Sequence, residues 1–166
     1  SREGLLARPG EKVIYSDLGF ILLGFILERI WNEQLDMLAQ KLIFKPLGME
    51  DTGYLPSREK LRQIVPTETG NAIEAKMANA YFSKEGAGGE GLLQQAELFN
   101  WRKGVIRGTV HDCNAHFGLN GIIGHAGLFS TLDDLLIFMG AWYGDDGAFI
   151  RKSLKKVSVM THTLNC

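Results

Sequence analysis

YSDLGFILLG, Tyr15 to Gly24, is the stretch on which the reading of this chain turns. It sets a phenol, a hydroxyl and a carboxylate side by side at the mouth of an apolar helix that begins around Leu18. Ser or Asp at a helix start can cap free backbone N–H groups, so a structural cap accounts for the triplet as well as a reactive cleft does. The rest of the chain has to separate the two.

Outward from the triplet, Leu18, Ile21, Leu22, Phe25, Ile26 and Ile30 follow helical spacing, with Glu28, Arg29 and Asn32 on the other side. The helix is expected to be buried on most sides. Gly24 in mid-helix costs about 1 kcal/mol against Ala, which predicts that a second backbone passes close by. The apolar run stops at Glu28-Arg29, short of the ~20 residues that a membrane span needs, so no span is expected. No charged segment followed by an apolar core opens the chain, and no export signal is expected in it.

Upstream, Pro9-Gly10 marks a turn and Val13-Ile14 leads into the triplet. Downstream, Leu35, Leu38, Ala39, Leu42 and Ile43 predict a second amphipathic helix that ends before Lys45-Pro46, because a residue preceding proline is pushed out of the α region. Pro46 to Met49 reads as a tight turn, Thr52-Gly53-Tyr54 as a short extended piece, and Ser57 as the cap of an exposed helix over 58–63. A helix is predicted over Ile73 to Tyr81. The glycine run Gly86 to Gly91 lacks the Lys and Ser or Thr of a phosphate loop, so a flexible surface loop is expected around 84–92.

After Trp101 come the polar cluster His111-Asp112-Cys113-Asn114 and four glycines, Gly118, Gly121, Gly124 and Gly127, flanking His116 and His125. That many glycines predict backbone packed tightly around a pocket wall. Ser130 to Asp133 has the form of a capping box with Asp133 in the place of Glu, opening a helix through Leu135, Phe138 and Trp142 that ends at Gly144. A last helix is predicted from about Lys152 to Thr161. The chain thus reads as mainly α with a few short strands, one domain over 1–166.

Composition narrows the partners. The 166 residues are 45% hydrophobic, enough for a core, and a net charge of −1 with pI near 6.4 offers no basic excess to a phosphate backbone. Nucleic acid is not an expected partner. Cys113 and Cys166 lack the close pairing of zinc or redox motifs and read as free thiols, unless the fold brings the tail to the middle. His111, Asp112 and His116 have no recurrent ligand spacing, so neither a metal nor a cofactor is expected.

Four pieces in order, YSDLGFILLG, IFKPLGMEDTGY, the WRKGVIRGTVHDCNA block and GHAGLFSTLDDLLIF, resemble the middle of the serine β-lactamase and penicillin-binding-protein-like family. The likeness is closest to its class C β-lactamase and esterase branch. In that family a Ser-x-x-Lys nucleophile, a Tyr-x-Asn proton shuttle and a Lys-Thr-Gly or His-x-Gly strand meet in one cleft. The resemblance implies that Tyr15 is the shuttle, with Asp17 where Asn is usual. It also implies that Ser16, His111, Asp112, His125 and Ala126 line the cleft, although a satisfied polar loop explains His111 and Asp112 as well.

A free phenol has a pKa near 10, so a tyrosine serves as base only beside cations, normally the lysine of the first motif. Two stretches match Ser-x-x-Lys, Ser57 to Lys60 and Ser153 to Lys156, but both follow the tyrosine and sit in charged, exposed segments. Neither is expected to be the nucleophile, because activation needs a partly buried, positioned pair. His125-Ala126-Gly127 precedes a helix and is not the third motif.

The resemblance therefore implies the helical lobe of the β-lactamase/transpeptidase-like α/β fold, without most of its sheet: an internal fragment of a serine hydrolase acting on a small amide or ester. A non-catalytic module that binds a ligand or partner through the same cleft is the alternative. Apolar surface meant for the sheet would drive self-association. Family members are often exported, and the compartment stays open.

Overall fold

The computed structural model describes residues 7–82 and 100–143. The glycine-rich loop, the last helix, Ser153, Lys156 and Cys166 lie outside the described residues. Chain order is α1 (Asp17–Trp31), α2 (Leu35–Ala39), a π turn (Gln40–Phe44), α3 (Lys45–Leu47), β1 (Gly53–Tyr54), a 3-10 helix (Arg58–Gln63), β2 (Glu68–Thr69), α4 (Ala72–Phe82), β3 (Val105–Ile106), a second π turn (Asn114–Gly118), β4 (Leu128–Phe129) and α5 (Leu132–Tyr143). The fold is mainly α. Its strands form two antiparallel ribbons: β1 with β4, Gly53 opposite Phe129, and β2 with β3, Glu68 opposite Ile106.

Helix α1 starts at an extended Ser16 (φ −153°, ψ 124°) whose side chain makes no capping hydrogen bond, contrary to the capping reading of the triplet. Its far end is closed by Asn32 in the left-handed region (φ 50°), and the N–H groups of Asn32 and Glu33 both reach the Glu28 carbonyl. The Glu28 carboxylate then accepts the Leu35 N–H at 2.9 Å, so one residue ends α1 and begins α2.

The close approach predicted at Gly24 is present. A Cβ there would stand 3.2 Å from the Gly124 nitrogen, and a Cβ on Gly124 would collide with the Phe20 carbonyl. Burial of α1 on most sides is not found: Gly24 is its buried residue, while Leu18, Leu22, Leu23, Ile26 and Ile30 are each half or more exposed. The reason is a matter of neighbours. The described residues meet α1 along Ile21, Gly24 and the start of α2, and its remaining apolar face has no cover among them.

Two local readings need correction. The second helix does not stop before Pro46: it widens into the π turn, where Lys45 N–H reaches back to the Gln40 carbonyl, and continues through Pro46 to Leu47. A widened turn relieves the clash of a proline ring with the preceding turn, which is how a proline is carried inside a helix. Gly48 (φ 73°) then closes it in a Schellman pattern, with Met49 N–H on the Phe44 carbonyl at 2.9 Å and Gly48 N–H on Lys45 at 3.1 Å. Ser57 precedes a 3-10 helix without a side-chain cap.

The capping box of α5 is shifted by one residue. Thr131 Oγ1 accepts the Asp134 N–H at 3.2 Å, and the Asp134 carboxylate does not return to the cap. It instead accepts the Asp51 N–H (2.9 Å) and the Thr52 hydroxyl (2.7 Å), with Ser130 Oγ 2.7 Å from the same hydroxyl. Thr52 and Asp134 are both 6% exposed, so this knot ties the start of α5 to the strand β1 from inside. Among the described residues, buried apolar side chains include Leu35, Leu38, Phe44 and Met49 in and just after α2, Ile106 of β3, and a cluster of Val110, Ala115 and Ile123 against which Ile21 of α1 packs.

Candidate active site

Tyr15 stands 78% exposed at the mouth of α1, its ring tilted against Phe20 at 5.7 Å. The Asp17 carboxylate, first by its charge and then as a hydrogen-bond acceptor, raises the phenol pKa above 10.0. The effect is opposite to what a general base needs. Ser16 and Asp17 border an open cavity of about 820 Å³ whose other walls include Ile21, Trp101, Cys113 and Phe117.

The remaining residues expected in the cleft are elsewhere. His111, Asp112 and Ala126 line a second cavity of about 620 Å³, together with Lys60 and Ser130. Ser16 and Asp17 thus border one cavity, and His111, Asp112 and Ala126 another. Asp112 Oδ1 accepts the Ala115 N–H at 2.7 Å and lies 3.1 Å from His125 Nε2. The His125 side chain is 3% exposed. This dyad locks the second π turn to the segment before β4.

Cys113 faces the first cavity, but burial raises its thiol pKa, Glu74 adds to the rise, and Arg102 only partly opposes it. A thiol held protonated is a poor nucleophile. The pKa of His116 is lowered, chiefly by burial and then by Arg102. At the Ser57 to Lys60 match, Lys60 Nζ is 2.7 Å from Asp51 Oδ1, and that hydrogen bond raises the lysine pKa and favours the protonated form. A lysine so engaged does not act as the base for a neighbouring serine.

Arg102 is the organising residue that sequence reasoning missed. Its Nε donates to Asn71 Oδ1 (2.6 Å), Nη1 to the Val110 carbonyl (2.7 Å) and Nη2 to the His111 carbonyl, while the guanidinium lies 5.7 Å from the centre of the Phe117 ring. Asn71, only 1% exposed, also takes the Arg102 carbonyl on its N–H at 3.2 Å. The sole signal in the sequence was an arginine directly after an aromatic residue and two before a glycine, Trp101-Arg102-Lys103-Gly104.

Comparison with known proteins bears on the family. The β-lactamase family model matches residues 1–160. A protein of Escherichia coli K12 whose provisional name is D-alanyl-D-alanine carboxypeptidase is 33% identical over 162 residues, covering 93% of this chain and 33% of its own length. The N-acetylmuramyl-L-alanine amidase of Bacillus subtilis 168 is 34% identical over 134 residues, covering 80% of this chain and 26% of its own. A Salmonella typhi protein with the same provisional name as the first is 33% identical over 155 residues, 89% of this chain and 32% of its own. The chain spans about a third or less of the length of these relatives. The chain therefore belongs to the β-lactamase family, a family of the serine-hydrolase type.

Proposed function

We propose that this chain is the helical part of a serine hydrolase, with Tyr15 as the proton shuttle of an acyl-enzyme mechanism, and that alone it does not turn over substrate. The observation that supports the reading is an exposed Tyr15 next in the chain to Ser16 and Asp17, which border the larger of the two cavities. The names of the relatives, a D-alanyl-D-alanine carboxypeptidase and an N-acetylmuramyl-L-alanine amidase, favour an amide of a cell-wall peptide over a simple ester as the substrate.

The mechanism asks the missing part to supply two things. One is a serine whose hydroxyl oxygen attacks the amide carbonyl. The other is a lysine whose positive charge offsets Asp17 and lowers the Tyr15 phenol toward a working pKa, so that its oxygen can take the serine proton and return it to the leaving amine. Without the serine, turnover in a hydrolase of this kind falls by about six powers of ten.

One observation favours the non-catalytic alternative: the cationic partner of Tyr15 is not among the described residues, and Asp17 keeps the phenol protonated. Intact-protein mass spectrometry after incubation with a penicillin, a fluorophosphonate and a chromogenic ester separates the readings. The hydrolase reading expects no adduct on this chain and an adduct in the longer protein, upstream of Tyr15. An adduct on Ser16, Ser57 or Ser153 would contradict the missing-nucleophile argument, and no adduct on the longer protein would favour a binding module.

A further inference from the structure

Glu68, the first residue of β2, Glu74, in the first turn of α4, and His111, in the loop that follows β3, converge in one corner. One ligand atom from each lies within 4.8 Å of the other two. His111 Nε2 is 3.0 Å from Glu68 Oε1 and 3.7 Å from Glu74 Oε1. We propose that these three side chains form a binding site for a divalent cation of the zinc type, independent of the hydrolase reading.

An ordinary ion pair does not account for the corner. His111 Nε2 pairs with one oxygen of each carboxylate, at 3.0 Å and 3.7 Å, but Glu68 Oε1 and Glu74 Oε2 are buried atoms with no hydrogen-bond partner among the described residues, on side chains that are otherwise partly exposed. The guanidinium of Arg102, bound to Asn71, Val110 and His111, is directed at the scaffold. Buried carboxylate oxygens without a donor carry a desolvation cost that a bound cation removes.

The donor chemistry selects the ion. One imidazole nitrogen with two carboxylates suits zinc, which takes nitrogen and oxygen at about 2.0–2.2 Å, better than magnesium or calcium, which prefer oxygen alone. Two ligands on one such ion sit about 3.3 Å apart, a spacing that small rotations of these three side chains reach from the one observed. The supports are fixed: the Glu68–Ile106 register sets the strand, and Arg102 holds the His111 carbonyl. Since His111 also lines the second cavity, the cation would clamp β2, α4 and that cavity wall together.

The test is a zinc titration of the chain after treatment with chelator, followed by calorimetry and by thermal unfolding. One equivalent of zinc should bind and raise the melting temperature, chelator should reverse the rise, and magnesium should not reproduce it. Glu74→Gln and His111→Gln should each weaken binding at least tenfold, whereas His116→Gln should leave it unchanged. Absence of zinc binding by the unaltered chain would overturn the site. So would binding that survives both substitutions in proteins whose circular dichroism matches the parent, and this outcome would mean adventitious surface coordination only. Should either substituted chain fail to fold, the unaltered chain decides by its stoichiometry and by the chelator reversal.

Discussion

Helix α1 and the corner around Arg102 hold the chemistry of this molecule the wrong way round. The helix is almost wholly apolar and mostly exposed, whereas the corner gathers Arg102, Asn71, Glu68, Glu74 and His111 at partial or full burial. The polar corner is held by bonds that fix direction as well as distance. The apolar helix is held along Gly24, Ile21 and the start of α2, and its remaining apolar face has no cover among the described residues. Hydrogen bonds thus hold the corner, whereas α1 relies on apolar contacts that reach only part of its surface among the described residues.

The largest effect should come from breaking the corner. Arg102→Ala strips donors from Asn71 Oδ1 and two carbonyls at once, at about 3 kcal/mol or more given 1.5–3 kcal/mol for a hydrogen bond to a charged group. Urea unfolding measures it. Arg102→Lys should recover only part, because an ammonium lacks the planar fork that reaches three acceptors.

Next in size is the crossing. Gly124→Ala drives a methyl into the Phe20 carbonyl and should cost about 2–3 kcal/mol as overpacking that backbone cannot easily relieve. Gly24→Ala is the useful contrast: its methyl meets Gly124 at 3.2 Å, while helix propensity returns about 1 kcal/mol, so the net change should be small. Equal losses at the two positions would deny that the crossing is asymmetric.

A smaller pair sharpens the cap of α5. Asp134→Asn should cost about 1–2 kcal/mol through its bonds to Asp51 and Thr52, while Asp133→Asn, exposed, should stay within about 0.5 kcal/mol. The reverse ranking would restore the capping box at Asp133.

The smallest is electrostatic. Asp17 raises the Tyr15 phenol, so Asp17→Asn should lower the midpoint of its ultraviolet titration toward the ordinary value, and an unchanged midpoint would remove Asp17 from the account.

What was legible in the sequence was what local pattern controls. The spacing of Leu18 to Ile30 showed α1, the mid-helix Gly24 showed a crossing, and Thr52-Gly53-Tyr54 showed an extended piece. Family membership was readable from four ordered motifs. Illegible was whatever depends on partners far along the chain. Periodicity cannot tell Asp133 from Asp134, because the choice is made by the Asp51–Thr52 turn. The burial of α1 was overestimated because an apolar pattern states what a face prefers to meet and not whether it is met. That His111 and Asp112 line a different cavity from Ser16 and Asp17 depends on contacts between segments about a hundred residues apart, which no local pattern records.

The most direct test is sedimentation velocity across a range of concentrations, for the chain and for a Leu23→Lys/Ile26→Lys double variant on the exposed face of α1. Each large side chain covered gains about 1.5–3 kcal/mol, so the unaltered chain should self-associate as concentration rises and the variant should sediment as a monomer. An unaltered chain that stays monomeric throughout would contradict the claim that α1 presents a face made to be covered.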